Sequence, residues 1–509
     1  MSSGAGAKTE RGPGVIVGVL ALAGVVVSLM QTMIIPLVPK LPSLLGSTAS
    51  ETAWAVTATL LAAAVATPTM GRLGDMYGKR RLLLVSLLLL IAGSVVAALS
   101  EDLALLVVGR VLQGLAAAVI PLGISIMRDA LPRERLGPAT AMMSASLGIG
   151  GALGLPASAL LAEKADWHLL FWTSAGLGVL VLALVQALVP ESGVRAGGRF
   201  DLLGAAGLSA VLVALLLAVS KGSTWGWASG LTLGLLSGAV VVALVWGKWE
   251  LRAPHPLVDL RTTARRQVLL TNIASAVFGF ALFAMSLVLP QLLQLPAASG
   301  YGLGQSLLVV GLVMAPNGLV MMAVAPSSAR ISAARGPKVT LMLGALVVAL
   351  GYGLGLFMMA TVWQLVLVSC VIGAGIGLAY GAMPALVMGA VPISETAAAN
   401  SLNTLMRSIG TSVSSAVTGV VLAQMVIGAG TAKFPSQGAF RLILGIGAAA
   451  ALIALAVAAF IPGLQRSPAT GEERASATPA FPAPGTTEPP THSAAVTSTP
   501  GRSDRPQHR

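Results

Sequence analysis

Apolar runs of roughly 20 residues, each long enough to cross a bilayer as a helix, alternate along the chain with short polar breaks. Fourteen such runs occur, near residues 14–36, 53–70, 82–99, 103–127, 138–162, 168–189, 202–219, 230–248, 268–292, 305–326, 339–360, 363–390, 397–427 and 440–461. The pattern predicts an all-α polytopic membrane protein with fourteen transmembrane helices. An even number of spans puts both termini on one side. The first run is too long for the core of a signal peptide.

The cations between the runs say which side that is. With the N-terminus inside, the inner loops hold 19 lysines and arginines and the outer loops 5. Such a bias marks the cytoplasmic face, so both termini are expected in the cytoplasm and the chain in the cell (inner or plasma) membrane. The densest inner segment is GRLGDMYGKRR, residues 71–81, which sets four cations around Asp75. Glycines 71, 74 and 78 allow a short, tight connection there.

Composition then removes alternatives. Apolar residues make up 56% of the chain and charged residues 10%, and the mean hydropathy is +0.88, far from soluble usage. The net charge of +13 is spread over short loops, whereas a nucleic-acid binder clusters its cations on one face with aromatics between them. Cys370 is the single cysteine, which rules out an internal disulfide and a thiolate metal cluster. The four histidines are dispersed, and no phosphate loop, zinc spacing or nucleophile elbow is present. The expectation is therefore no enzyme, no catalytic residue, no metal and no cofactor. From about residue 467 the chain is rich in Pro, Ser, Thr and Ala and reads as a disordered cytoplasmic tail.

The chain repeats itself. ARISAARGPK, residues 329–338, matches the 71–81 segment at a shift of 258, but Ala333 falls where Asp75 stands. GLAAAVIPL at 114–122 matches GLAYGAMPA at 377–385, shifted by 263. Two six-helix halves with two extra helices between them explain both shifts. The expected divisions are a cytoplasmic N-terminus at 1–13, a first half at 14–190, a linker pair at 191–260, a second half at 261–465 and a tail at 466–509. Duplicated bundles with a site near the midplane are transporter architecture.

Polar groups inside the spans are the candidates for function, because ionisable residues there are costly. Arg110 and Arg407 are the two cations within predicted spans. Arg110 either snorkels to the interface or faces a cavity, with Gln113 one turn on. Arg407, reached past Asn400 and Asn403, suits a cavity-lining stripe. Span five carries Gly148, Gly151, Gly154 and Pro156, which permit close packing and bending. Glu51, at the outer start of span two, is either a helix cap or a proton carrier whose burial raises its pKa.

These motifs carry a family resemblance. The segment at 71–81 resembles the hallmark loop G-x-L-a-D-r-x-G-r-k-x of the major facilitator superfamily, with Gly71, Leu73, Asp75, Gly78, Lys79 and Arg80 in place. VVGRVLQGLAAA resembles that superfamily's fourth-helix motif through Arg110, Gln113 and Gly114. ADWHLLFW and the two extra spans resemble its fourteen-helix drug:proton antiporter branch. There are two departures. LMQTMIIPLVP puts Met30 where that branch has an acid, leaving Gln31 and Thr32 as the nearby polar groups, and GLPASA shifts the span-five proline by one.

The resemblance implies secondary active export of drugs or other small amphipathic compounds by alternating access, with the proton gradient as energy source. It implies a latch built on Gly71, Arg72, Asp75, Gly78, Lys79 and Arg80, and cavity or coupling roles for Arg110, Gln113, Glu51, Gln31, Thr32, Arg407 and Asn403. The expected partners are a small-molecule substrate and the lipid bilayer, with no nucleic acid, for a protein acting as a monomer. A uniporter or importer of one metabolite, favoured by the missing first-span acid, is the alternative. A membrane sensor or scaffold is a third reading.

Overall fold

The computed structural model describes residues 12–34, 37, 40–164, 166–429 and 432–462. The expected tail and most of the expected N-terminal segment lie outside these residues. Fourteen long helices form among them: α1 Pro13–Met33, α2 Trp54–Tyr77, α3 Lys79–Ala98, α4 Leu103–Ala130, α5 Arg133–Lys164, α6 His168–Leu188 and α7 Leu202–Trp225, then α8 Gly230–Glu250, α9 Arg266–Gln294, α10 Leu307–Arg335, α11 Pro337–Gly355, α12 Val362–Met388, α13 Thr396–Gln424 and α14 Gln437–Ala459. A 3-10 turn at Ala116–Ala118 interrupts α4. Thirteen of the fourteen are long and apolar enough to cross a bilayer; the other is α5, 32 residues long and punctuated by Pro138 and Pro156. The chain is a multi-pass membrane protein.

Side-chain caps start several of these helices. Asp102 accepts from the Leu105 amide at 2.8 Å, and Asp201 from the Gly204 amide at 2.8 Å, each satisfying an amide that has no partner inside its helix. Ser436 does the same for α14. Between α13 and α14 the chain forms a hairpin, β1 Val426–Ala429 against β2 Ala432–Pro435, where the apolar pattern had predicted helix up to 427.

The polar segment at 71–81 is not a loop. It continues α2 to Tyr77 and opens α3 at Lys79, with Gly78 alone at the corner. Gly78 has φ +119° and ψ 123°, and its repeat partner Gly336 has φ +90° and ψ 151°. Only glycine takes such angles without strain. The duplicated segment thus makes the same corner twice, α2 to α3 and α10 to α11.

Helix neighbours repeat as well. α1 packs on α5, α3 on α4 and α6, and α2 on α4; correspondingly α9 packs on α13, α11 on α12 and α14, and α10 on α12. The two sets of six meet along two seams, α5 against α10 and α2 against α13. At the first, a Cβ on Gly318 would lie 2.0 Å from the Gly148 carbonyl oxygen, so the backbones touch. At the second, a Cβ on Gly71 would lie 2.2 Å from Ser401 Oγ and 2.8 Å from the Ala397 oxygen.

Helices α7 and α8 pack on each other, and α7 also lies against both α2 and α13. Leu208, Leu212 and Leu216 of α7 share an apolar cluster with Ala64 of α2 and with Leu402 and Leu405 of α13. α8 turns Val240, Val241, Leu244 and Val245 outward, an apolar face suited to lipid.

Candidate functional site

Where α2 meets the start of α13, Asp75 is fully buried. One carboxylate oxygen accepts from the Ala398 amide at 2.8 Å and the other from the Ala397 amide at 3.2 Å. These amides belong to the first turn of α13, where no intrahelical acceptor exists and the helix dipole favours an anion. Lys79, also fully buried, sits 3.6 Å from Asp75 and 2.7 Å from Asp129. Ser192 donates to the same Asp129 oxygen at 2.5 Å. From α4, Arg128 reaches the other set of six helices, donating to Thr396 Oγ1 at 2.5 Å and to the Met388 and Val391 carbonyls at 2.9 and 3.2 Å. Sequence reading did not single out Arg128, though its place at the end of a span was a visible signal.

The other residues of this segment divide by task. Gly71 allows the close approach of α2 to α13, and Gly78 makes the corner. Arg72 is buried and borders a cavity of about 420 Å³ shared with Glu250 and His255. Arg80 donates to the Gln186 carbonyl at 2.6 Å and ties α3 to α6.

Deeper in the bundle, both sets of six helices contribute to a narrow pocket. Ile120 and Ile124 come from α4, Ser144 and Leu147 from α5, Tyr380 and Met383 from α12, and Asn400, Asn403, Thr404 and Arg407 from α13. The Arg407 guanidinium lies 4.9 Å from the centre of the Tyr380 ring, a cation–π distance. Asn403 donates to Asn272 Oδ1 of α9 at 3.0 Å, and its carbonyl accepts from Ser275 at 3.0 Å.

Several expected cavity residues lie elsewhere. Arg110 is 1% exposed, so it does not snorkel, and it does not line the pocket. It donates to the Ala55 carbonyl at 3.0 Å and to Gln113 Oε1 at 2.6 Å, and Gln113 passes the network to Ser94 at 2.8 Å. This pair locks α2, α3 and α4 together. Thr32 bonds within α1 and to the Gly150 carbonyl of α5 at 3.2 Å, and neither it nor Gln31 is among the pocket residues. Met30, where the antiporter branch that the sequence resembles has an acid, is 2% exposed within an apolar cluster.

Glu51 also departs from expectation. It is exposed and sits outside the long helices, accepting from the Thr48 amide at 3.0 Å and from the Ser47 and Thr48 hydroxyls at 2.7 and 2.8 Å. The Thr48 amide bond, helped by the two hydroxyls, pulls its pKa down to about 2, where burial was expected to raise it. The cap reading holds.

The glycines of α5 separate too. Gly148 faces α10, and Gly150 and Gly154 face α1, whereas a Cβ on Gly151 would meet nothing within 4 Å. Gly151 therefore does not serve packing. It continues the helix face of Ser144 and Leu147, with open space before it. Pro156 lies inside α5.

The Major Facilitator Superfamily model matches residues 20–415. The chain belongs to this superfamily. An uncharacterised MFS-type transporter of Mycobacterium tuberculosis is 28% identical over 397 residues, 77% of this chain and 57% of that protein. The multidrug resistance protein B homolog of the same species is 29% identical over 340 residues, 66% of this chain and 62% of that one. The chain thus spans about three-fifths of the length of these relatives. Among solved structures, the human organic anion transporter MFSD10 superposes with a TM-score of 0.63 at 16% identity, over 88% of this chain and all of that one, a likeness of fold.

Proposed function

We propose that the chain is a secondary transporter that exports small amphipathic compounds across the plasma membrane by alternating access, with the α2–α13 end of the bundle facing the cytoplasm. The observation that carries this reading is the Asp75 carboxylate on α2 capping α13 of the other set of six helices. That bond exists only while the two sets are together at this end, so it works as a latch on one of two states. Gly71, Arg72, Gly78, Lys79 and Arg80 shape and neutralise its surroundings. The polar pocket above it, lined from both sets, is the place for substrate. The multidrug name of one relative supports export of amphipathic compounds.

The expected proton carrier is not supported at Glu51, whose pKa of about 2 keeps it ionised throughout the physiological range. The test is flux. Cells expressing the chain should lose a panel of toxic amphipathic compounds faster than cells without it, and Asp75→Asn should abolish that loss while the protein stays in the membrane. Equal retention in both cell lines would reject the proposal. Entry of a compound instead of loss would favour the importer reading.

A further inference from the structure

We infer that the central pocket binds the anionic group of its substrate, so that the transported compounds are organic monoanions, carboxylates above all. This rests on the transport reading above. Arg407 is the one charged residue among those lining the pocket, and no carboxylate is. Among the described residues no ion pair or side-chain hydrogen bond holds its guanidinium; its recorded contact is the Tyr380 ring. Tyr380 is 1% exposed, and its hydroxyl has no partner either.

The buried Tyr380 hydroxyl, left unmatched, is costly, and the half-buried Arg407 guanidinium keeps its N–H groups open to the pocket without a protein acceptor. One ligand, an anion with two acceptor oxygens, would match both groups. A guanidinium offers parallel N–H groups that fit a carboxylate bidentately, and the phenol adds a third donor. Arg407 is the twelfth residue of α13, about 17 Å along the helix axis from its start, so the site is deep in the bundle. Its stem is fixed against α9, where a Cβ on Gly279 would lie 3.0 Å from Arg407 Cγ and 2.3 Å from its carbonyl oxygen. Ile120, Ile124, Leu147 and Met383 supply apolar walls. In this closed arrangement the pocket measures only about 10 Å³, room for a water-sized group. The charged head therefore enters as the two sets of helices part, with the open space before Gly151 on the same face of α5 left for the hydrocarbon body.

The charge sign also bears on the energy source. An inside-negative potential of ~100 mV drives a monoanion outward to about a 50-fold concentration ratio. Export of such a substrate needs no proton carrier in the pocket, which accords with apolar, buried Met30 where the resembled antiporter branch has an acid.

The test uses full-length protein in proteoliposomes and matched probes: aromatic carboxylates with their carboxamides and aminomethyl analogues, beginning with 1-naphthoate, 1-naphthamide and 1-naphthylmethylamine. The carboxylates should be bound and carried, and a valinomycin potential should drive their flux. Arg407→Gln should weaken carboxylate binding about 10- to 100-fold, with Arg407→Lys recovering part of it. Tyr380→Phe deletes a hydroxyl that has no partner, so it should leave the thermal midpoint unchanged while weakening carboxylate binding several-fold; it keeps the test valid even where Arg407→Gln folds poorly. Preference for the amines, or carboxylate binding indifferent to both variants, would overturn the anion assignment and leave the transport reading intact. Absence of flux for every probe and for the amphipathic panel would overturn both.

Discussion

Asp75→Asn tests the latch without any knowledge of substrate. The carboxylate accepts two backbone amides, at 2.8 and 3.2 Å, across the α2–α13 seam. Hydrogen bonds to a charged group contribute about 1.5–3 kcal/mol each, and an anion at a partly buried helix N-terminus gains up to ~2 kcal/mol. Asparagine keeps one acceptor oxygen but turns an amide NH₂ toward the second backbone N–H, so one bond and the charge are lost, a net of about 2–4 kcal/mol. The loss falls on the closed arrangement alone, because donor and acceptor belong to opposite sets of helices. At tenfold per 1.4 kcal/mol, the open population rises about 30- to 700-fold. Ser401, fully buried against Gly71, reports the change. In a Cys370→Ala background, a cysteine at position 401 should react with N-ethylmaleimide tens to hundreds of times faster when Asp75 is asparagine. An unchanged rate would refute the latch, whatever happened to transport.

Other outcomes follow from the same geometry. Arg110→Leu removes two charge-assisted bonds and strands Gln113 and the Ala55 carbonyl, so it should lower stability by about 3–6 kcal/mol, read as a fall in melting temperature in detergent. Gly318→Ala drives a Cβ to 2.0 Å from the Gly148 carbonyl oxygen and should cost about 1–3 kcal/mol by overpacking the α5–α10 seam, whereas Gly151→Ala, with open space before it, should be neutral or stabilise by up to ~1 kcal/mol; equal effects from the two would contradict the packing described. For Glu51, the depressed pKa means its contribution to stability is complete above the ordinary carboxylate range and is lost only as pH falls through about 2. Glu51→Gln should therefore leave the pH profile of transport between about 5 and 8 unchanged, and a profile that flattened would restore Glu51 as a carrier.

The spans were legible because a bilayer demands some 20 apolar residues per helix, and that demand is local. The corner at Gly78 was legible for the same reason, a local backbone need with a glycine to meet it. Helical continuation through Asp75 was not, because glycines and charges in sequence look like a loop. What makes the segment helical is α13, more than 320 residues away, whose first turn supplies the partner for the acid. Arg110 and Arg407 looked alike as lone cations in apolar runs. One is consumed by a glutamine and a carbonyl on neighbouring helices and the other faces a pocket, a distinction that only packing makes. Gly151 was grouped with its neighbours because composition does not tell which face of α5 meets a helix and which meets space.

The placement of α7 has a mechanical consequence. It rests on α2 and α13 at once, so opening their seam must peel it from one of them. The apolar strip laid bare is wetted by acyl chains rather than by water, and separating helices in lipid carries little hydrophobic penalty. The barrier then depends on how readily lipid tails enter the widening groove. Under the alternating access proposed above, turnover is expected to depend on the membrane as much as on the chain, slowing in stiff, tightly ordered bilayers and quickening in fluid ones.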